Sequence, residues 1–214
     1  MMLPVFRLFF MPFSRFSGAL DALASSAASP FRAHSMTPDR LTAEAVAEQL
    51  QLDGHMEGGF FRRTYESDYR LLTPGGDERL SMTSIFYLLA AQSPIGHFHL
   101  NRSDIVHYFH MGDPITYYLL HPDGELKTVV MGNDLRAGHV LQLTVPGGVW
   151  KASQIPADGE HGFGLISEAV SPGFEYVDMT LGYRSLMLVQ FPQHQALLGR
   201  LSHEDPKSPA KTRR

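Results

Sequence analysis

Four histidines lie close together in residues 94–112, which read PIGHFHLNRSDIVHYFHMG. His97 and His99 form a His-x-His pair, and His107 follows eight residues later. In an extended strand alternate side chains share a face, so His97 and His99 are expected on one face and Phe98 on the other. Neutral imidazole can bind a metal or move a proton near neutral pH. The segment predicts either a solvent-facing strand or a barrel strand that directs the histidines into a cavity.

The elements around this segment are predicted to be mostly strands. After residue 54, segments rich in Phe, Tyr, Thr, Val and Ile alternate with Pro, Gly, Asn and Asp clusters, which indicates about eleven short strands in an all-β sandwich or barrel. The connection HPDGE at 121–125 predicts a tight hairpin. A short helix over 43–52 with Thr42 as its N-cap, and a last short helix over 192–201, complete the prediction. The predicted strands cover residues 59–66, 81–89, 96–100, 105–111, 116–121, 126–131, 140–145, 149–155, 163–170, 175–178 and 185–190.

Composition narrows the function classes. The 214 residues are 43% hydrophobic and 19% charged, which is typical of one globular domain with a sizeable core. The net charge of −4 and the scattered basic residues argue against nucleic acid as a partner. No run approaches the roughly 20 apolar residues that cross a bilayer, so no membrane partner is expected. The chain has no cysteine, which excludes disulfides, thiolate metal ligands and a cysteine nucleophile.

Residues 1–35 differ from the rest, with three arginines, six serines and a single acid. This composition is typical of a transit peptide, which predicts a mitochondrial or plastid location if the leader is cleaved and a cytoplasmic one otherwise. A secretory signal, a disordered extension and initiation at Met36 stay open as alternatives. One domain is predicted over 36–202, followed by a disordered tail over 203–214.

Six segments occur in an order that characterises one superfamily. They are HMEGGFFRRTYES at 55–67, SIFYLL at 84–89, HFHLNRSD at 97–104, YLLHPDGELKTVVMG at 118–132, VPGGVWKAS at 145–153 and GLISEAVSPGFEYVDM at 164–179. Together they resemble the cupin superfamily, in particular its Cupin_5 branch, a domain of unknown function. The resemblance covers about residues 40–202. It implies a double-stranded β-helix, the RmlC-like jelly-roll barrel, which is usually a homodimer with a small-molecule pocket inside.

The resemblance also implies where a metal would bind. Metal-binding cupins carry two histidines and a glutamate in their first motif and a further histidine in their second. In this chain the glutamate position falls on Ile105 and the second-motif histidine on Lys151. Catalytic metal sites usually keep three protein ligands and one open position, so these changes disfavour a divalent metal, and no cofactor is expected. His97, His99 and His107 remain an alternative set of three nitrogen ligands.

Strand parity predicts further cavity residues. Glu168 lies among apolar residues and is expected to face the cavity, as a base or as a partner of Lys151 or His107, unless it meets water on an edge strand. Arg63 is a candidate to hold a carboxylate or phosphate, although a salt bridge that fixes the first strand is the commoner role. A pocket of this kind would suit an anionic or polar planar ligand. If His97 and His99 face inward, the parity set is Ile105, His107, Phe109, Val149, Lys151 and Ser153.

The expected function is small-molecule binding, with a metal-independent isomerase, epimerase or lyase acting on a small polar or sugar-like metabolite in first place. Histidine suits such work because its ordinary pKa lies close to the operating pH. The alternatives are a non-catalytic ligand-binding protein and a metal-dependent oxygenase or lyase that uses the three histidines. The predicted roles are His99 or His107 as general base, Glu168 or Lys151 as acid or charge stabiliser, and His97, Phe109, Ser153 and Arg63 as ligand contacts.

Overall fold

The computed structural model describes residues 40–207. The predicted leader over 1–35 lies outside the described residues, as do residues 208–214 of the predicted tail. Within the described part, strands dominate and the α-helices are short. The elements are α1 (Ala43–Leu50), β1 (Asp53–Gly54), β2 (Phe60–Glu66), β3 (Arg70–Leu72), β4 (Glu78–Leu80), β5 (Thr83–Ala90), β6 (Ile95–Asn101), β7 (Asp104–Gly112), β8 (Ile115–Leu120), β9 (Leu126–Met131), β10 (Gln142–Val145), β11 (Trp150–Gln154), β12 (Phe163–Ser171), β13 (Met179–Leu181), α2 (Arg184–Gln190) and α3 (Gln195–Leu201).

The strands form two large antiparallel sheets that face each other. The first has the order β1-β2-β5-β12-β7-β10 and the second the order β13-β6-β11-β8-β9. Side chains of both sheets meet in one apolar cluster, which includes Leu89 and Ile166 from the first sheet and Ile115 and Leu119 from the second. Most neighbouring strands are distant in sequence, which is the arrangement of a jelly-roll barrel. The predicted all-β jelly roll is confirmed.

Short helices cover the outer faces of both sheets. Helix α1 begins after Thr42, whose side chain accepts a hydrogen bond from the Ala45 N–H at 3.2 Å, as expected of an N-cap. Val46 of this helix packs in one cluster with Leu88 of the first sheet. Helices α2 and α3 pack on the second sheet around Trp150. No helix within residues 40–207 is long and apolar enough to cross a bilayer.

Several elements differ from the sequence-based prediction. The predicted strand over 185–190 is instead helix α2, because Met187 and Phe191, four residues apart, are both buried against the second sheet. The predicted strand over 175–178 is a 3₁₀ turn that leads into β13. The β3–β4 hairpin has no counterpart in the prediction. It is attached to that turn by Arg79, which donates to the two carboxylate oxygens of Asp178 at 2.5 and 2.9 Å.

Candidate functional site

A cavity lies inside the barrel, between strands of both sheets. The space between its walls measures about 460 Å³, a figure that includes the part open to solvent. Aromatic and aliphatic side chains form much of its wall, among them Phe61, Ile105 and Phe174. A group of ionisable side chains also lines it, namely His55, Glu57, His99, Lys151 and Glu168.

A tight turn before β2 carries Glu57 into the barrel. The Gly58 N–H donates to the carbonyl oxygen of His55 at 3.1 Å. Gly58 has a φ of +98°, and a Cβ at this position would lie 2.1 Å from the carbonyl oxygen of Ile95. Glycine alone combines this dihedral with so close an approach. The N–H of His97 donates to the carbonyl oxygen of Glu57 at 2.6 Å, so strand β6 fixes the backbone of the acid.

A β-bulge in β6 separates the two histidines of the His-x-His pair. The register between β6 and β11 shifts next to His99, so that two residues of β6 oppose one of β11. His97 turns away from the cavity, with its Nδ1 3.3 Å from the carbonyl oxygen of Leu201 and its ring centroid 4.8 Å from that of His203. The prediction that His97 and His99 share an inward face is therefore wrong, and His97 is not a cavity residue. The strict alternation behind that prediction fails because a bulge adds one residue to a strand.

Glu57 and His99 form a buried pair of an acid and an imidazole. Glu57 Oε2 lies 3.1 Å from His99 Nε2, while His99 Nδ1 lies 2.8 Å from the carbonyl oxygen of His97. Because a carbonyl can only accept, Nδ1 carries the proton of the neutral ring and Nε2 is left to accept from Glu57. Burial raises the pKa of Glu57 to about 8, and burial lowers the pKa of His99 well below its ordinary value. At neutral pH the shared proton therefore resides on the carboxyl group.

Two neutral side chains brace this pair. His55 Nδ1 accepts the N–H of Glu57 at 3.2 Å and lies 3.6 Å from Glu57 Oε2. Burial lowers the pKa of His55 to about 4, so its ring is neutral at pH 7. The Tyr87 hydroxyl donates to the carbonyl oxygen of Gly58 at 2.8 Å, and burial raises the pKa of Tyr87 well above its ordinary value. The turn that carries Glu57 is thus held from both sides.

Lys151, His107 and Glu168 form a second buried cluster. Lys151 Nζ lies 2.9 Å from His107 Nε2 and 3.5 Å from Glu168 Oε1. His107 Nδ1 lies 3.3 Å from the carbonyl oxygen of Leu143, so Nδ1 carries the ring proton and Nε2 accepts from the lysine. Burial alone would raise the pKa of Glu168, but the nearby Lys151 ammonium lowers it well below its ordinary value. The cluster is therefore an ion pair between Lys151 and Glu168, with a neutral imidazole against it.

The structure distributes the other predicted ligand contacts differently. Phe109 is partly buried and packs against the barrel core. Ser153 is buried. Its Oγ lies beside Gly96 and the Tyr87 hydroxyl, so close that a Cβ on Gly96 would be 2.5 Å away from it. Arg63 lines the cavity, but it donates to Glu66 Oε1 at 2.7 Å and to the carbonyl oxygen of Phe174 at 3.3 Å. Its contacts are those of a side chain that fixes strand β2.

Sequence reasoning missed several cavity residues. Glu57 and His55 belong to HMEGG, and the signal that could have found them is the pair of glycines after an acid, directly before a strand. Asn101 lies two residues after His99 and therefore on the same face of β6. Tyr87 lies on β5 and lines the cavity. Each lies outside the His-x-His and Pro-Gly-Gly motifs from which the cavity residues were predicted.

The residues present do not fit the metal set of the metal-binding cupins. Ile105 and Lys151, at the positions of the missing glutamate and histidine, both line the cavity as an aliphatic wall and a charged amine. The His97 ring lies against the carbonyl oxygen of Leu201 and points away from His99, so the alternative set of three histidines does not assemble. Across residues 40–207, no three His, Asp or Glu side chains are grouped so that they could hold a metal ion. The chemistry of this cavity is therefore derived from its own side chains.

A family model matches this architecture. The model, described as Cupin_5 of the cupin superfamily (DUF985), matches residues 44–182, which include both sheets of the barrel and all the ionisable cavity residues. The chain belongs to the Cupin_5 family. The predicted resemblance is thereby confirmed at the level of the superfamily and the branch.

Proteins similar to this chain come from several organisms. An uncharacterized protein of Saccharomyces cerevisiae (YML079W) is 42% identical over 149 residues, which cover 64% of this chain and 73% of the yeast protein. A hypothetical protein from Leishmania major has a similar structure, with a TM-score of 0.74 and 32% identity over 77% of this chain and 100% of its own. A Shewanella oneidensis protein (SO0799) has a TM-score of 0.70 and 36% identity over 77% of this chain and 99% of its own.

Proposed function

We propose that this Cupin_5 protein binds a small polar metabolite in the barrel and moves a proton to and from one of its carbon atoms, as an isomerase or epimerase does. The observation that carries the proposal is the Glu57–His99 pair. A carboxyl group with a pKa of about 8 lies 3.1 Å from an imidazole whose tautomer is fixed to accept its proton. Catalytic carboxyls are tuned by burial toward the operating pH in this way.

The pair can take up a substrate proton and carry the added positive charge on His99. As one carboxyl oxygen of Glu57 accepts the proton from carbon, the proton on Oε2 passes to His99 Nε2. The imidazolium that forms has a low pKa because it is buried, so it returns the proton readily. The carbonyl oxygen of His97, which accepts from Nδ1, keeps the ring in the required orientation throughout.

Lys151 is proposed to stabilise the negative charge that develops on the substrate oxygen. Removal of a proton next to a carbonyl leaves an enolate, and a nearby ammonium in a water-poor cavity stabilises it more than water would. Glu168 and His107 position the ammonium through contacts of 3.5 and 2.9 Å. The very different pKa values of Glu57 and Glu168 assign the two acids different tasks, proton transfer and charge pairing.

The experiment is hydrogen exchange, which requires no knowledge of the substrate. A metabolite extract is incubated in D₂O with the protein, and mass spectrometry searches for compounds that gain one carbon-bound deuterium. The wild type is expected to label at least one compound. Glu57→Gln and His99→Gln are expected to slow that labelling by about 10²- to 10⁴-fold, the usual contribution of a general base.

A matched control separates catalysis from binding. Arg63→Gln alters a cavity-lining residue whose contacts are structural, so it is expected to keep the labelling if the protein stays folded. If a compound binds with a measurable Kd but no labelling depends on Glu57, the protein is the non-catalytic ligand-binding cupin. That outcome would overturn the proposed proton transfer while leaving the cavity as a binding site.

A further inference from the structure

We propose that the ligand of this cavity is an uncharged α-hydroxy carbonyl compound, such as a free sugar, and is neither a phosphate ester nor a nucleotide-linked sugar. The inference rests on the proposed function, because it names the substrate class for the same cavity. It replaces the expectation of an anionic or polar planar ligand that the sequence alone suggested. Two independent observations carry it: the pairing of every cation at the cavity, and one buried amide without a partner.

The charges that line the cavity cancel. Lys151 is paired with Glu168 at 3.5 Å, and Arg63 is paired with Glu66 at 2.7 Å. The remaining ionisable groups on the wall, Glu57 and the two histidines at 55 and 99, are neutral at pH 7. A phosphate would bring a charge of nearly −2 into this cavity with no unpaired cation among the described lining residues to receive it.

The arginines on adjoining segments are also committed to acids. Arg79 donates to Asp178 through two nitrogens, at 2.5 and 2.9 Å. Arg102 donates to Asp178 at 3.1 Å and to Asp77 at 3.2 Å. Tight recognition of a phosphate normally uses an arginine fork or several backbone N–H groups that point at one oxygen cluster. Among residues 40–207, the two cationic side chains that line the cavity, Arg63 and Lys151, both have an acidic partner.

Asn101 supplies the second observation. Its side chain lines the cavity and the residue is 7% exposed, yet its Oδ1 is buried without a hydrogen-bond partner in the described part of the chain. Buried polar atoms are nearly always paired, so an unpaired one in a cavity wall marks where a ligand or water donates. Asn101 and Lys151 border the same two adjoining hollows, together with Ile105. A ligand hydroxyl is the simplest donor to this oxygen.

The lysine complements that hydroxyl. An ammonium has three N–H donors, and Lys151 directs two of them at His107 and Glu168. The third is left for an acceptor on the ligand, and the enolate oxygen of the proposed reaction is such an acceptor. A carbonyl bound by Lys151 with a hydroxyl on the next carbon bound by Asn101 is an α-hydroxy carbonyl.

The test is a binding series of matched probes followed by NMR of the ¹⁵N-labelled protein. The probes are D-fructose and D-xylulose, their monophosphates, their deoxy analogues without the hydroxyl next to the carbonyl, and a set of neutral, anionic and cationic fragments. The free sugars are expected to bind at least about tenfold more tightly than their phosphates, and neutral fragments to predominate among the fragments that bind. The side-chain amide signal of Asn101 is expected to shift with the free sugars.

Asn101→Leu, which keeps the shape of the side chain, is the matched variant, and Asn133→Leu on an exposed loop is its control. Asn101→Leu is expected to weaken the binding of the free sugars about tenfold and to leave the binding of the deoxy analogues unchanged, because only the hydroxyl loses its acceptor. Phosphates that bind as tightly as the sugars, equal affinity for sugar and deoxy analogue, or no binding by any probe would each overturn the inference. Deuterium labelling that depends on Glu57 can still occur in that case, so the two proposals fail separately.

Discussion

Glu168→Gln is the change that most directly tests the buried ion pair, because it removes one charge and keeps the shape of the side chain. Lys151 Nζ and Glu168 Oε1 are 3.5 Å apart, which at an effective dielectric of about 20 corresponds to an attraction of about 5 kcal/mol. Both side chains are at most 10% exposed, so solvent screens this pair little. The variant leaves a buried ammonium whose strongest partner has been lost.

The expected cost is about 3–4 kcal/mol in the free energy of unfolding, within the range for breaking a buried pair from one side. It is smaller than the full attraction because His107 Nε2 still accepts from Lys151 at 2.9 Å. For a domain of this size each kcal/mol lowers Tm by roughly 2–4 °C, so a decrease of about 10 °C is expected. The pKa of Glu168 is lowered by folding, so its stabilising effect is present above the unfolded pKa and is lost as the pH falls toward the folded one.

The matched variants are Lys151→Met and the double variant Glu168→Gln/Lys151→Met. Removing both charges replaces the pair by neutral groups of similar volume, which is often close to neutral for stability. The double variant is therefore expected to be about 2 kcal/mol more stable than the sum of the single losses predicts. The free energy of unfolding of the wild type, the two single variants and the double variant is measured by urea unfolding at pH 7. A cost below about 1 kcal/mol for Glu168→Gln, or strict additivity in the cycle, would refute the reasoning.

Three further predictions follow from the same geometry. Because folding raises the pKa of Glu57 from 4.5 to about 8, the folded protein holds a proton that the unfolded chain has released, and stability falls by up to about 1.4 kcal/mol per pH unit across this window. Urea unfolding across that pH window should show that the stability of the wild type falls with pH and that the stability of Glu57→Gln does not. The same slope in both proteins would contradict the raised pKa. Gly58→Ala should cost more than about 3 kcal/mol in urea unfolding, because its Cβ would meet a carbonyl oxygen at 2.1 Å, whereas Gly76→Ala, with the same sign of φ and open space, should cost about 1–2 kcal/mol. Equal costs would show that the turn does not require the close approach. Elemental analysis of protein purified without an affinity tag should find far less than one divalent metal per chain, and a stoichiometric metal would mean that the Lys151 cluster rearranges to admit one.

Alternation and turn chemistry were enough to predict an all-β sandwich or barrel, and the family resemblance specified the jelly roll. The apolar strands and the HPDGE hairpin between β8 and β9 lie where the pattern predicts them, with Gly124 at a φ of +89°. Where local pattern and tertiary packing disagree, packing decides. The apolar residues around Met187 are typical of a strand, but the segment is a helix that buries only one of its faces in the core.

The candidate site was predicted in part. Parity and the family motifs brought His99, Lys151 and Glu168 to one cavity, as the structure places them. The bulge that turns His97 away has no mark in the sequence, since it arises from the pairing of β6 with a strand some 50 residues later. Glu57 was missed for a related reason. Its approach to His99 depends on a glycine turn whose position is set by contact with β6.

The most direct test of the central claim is a titration of the glutamate side chains by ¹³C NMR, with carboxyl-labelled glutamate and Glu57→Gln to assign the signal. From about pH 5 to about pH 9 the Glu57 carboxyl is expected to pass from protonated to ionised with a midpoint near 8, while Glu168 stays ionised throughout. A midpoint for Glu57 near its ordinary value of 4.5 would contradict the account, because His99 would then have no carboxyl proton to share at neutral pH.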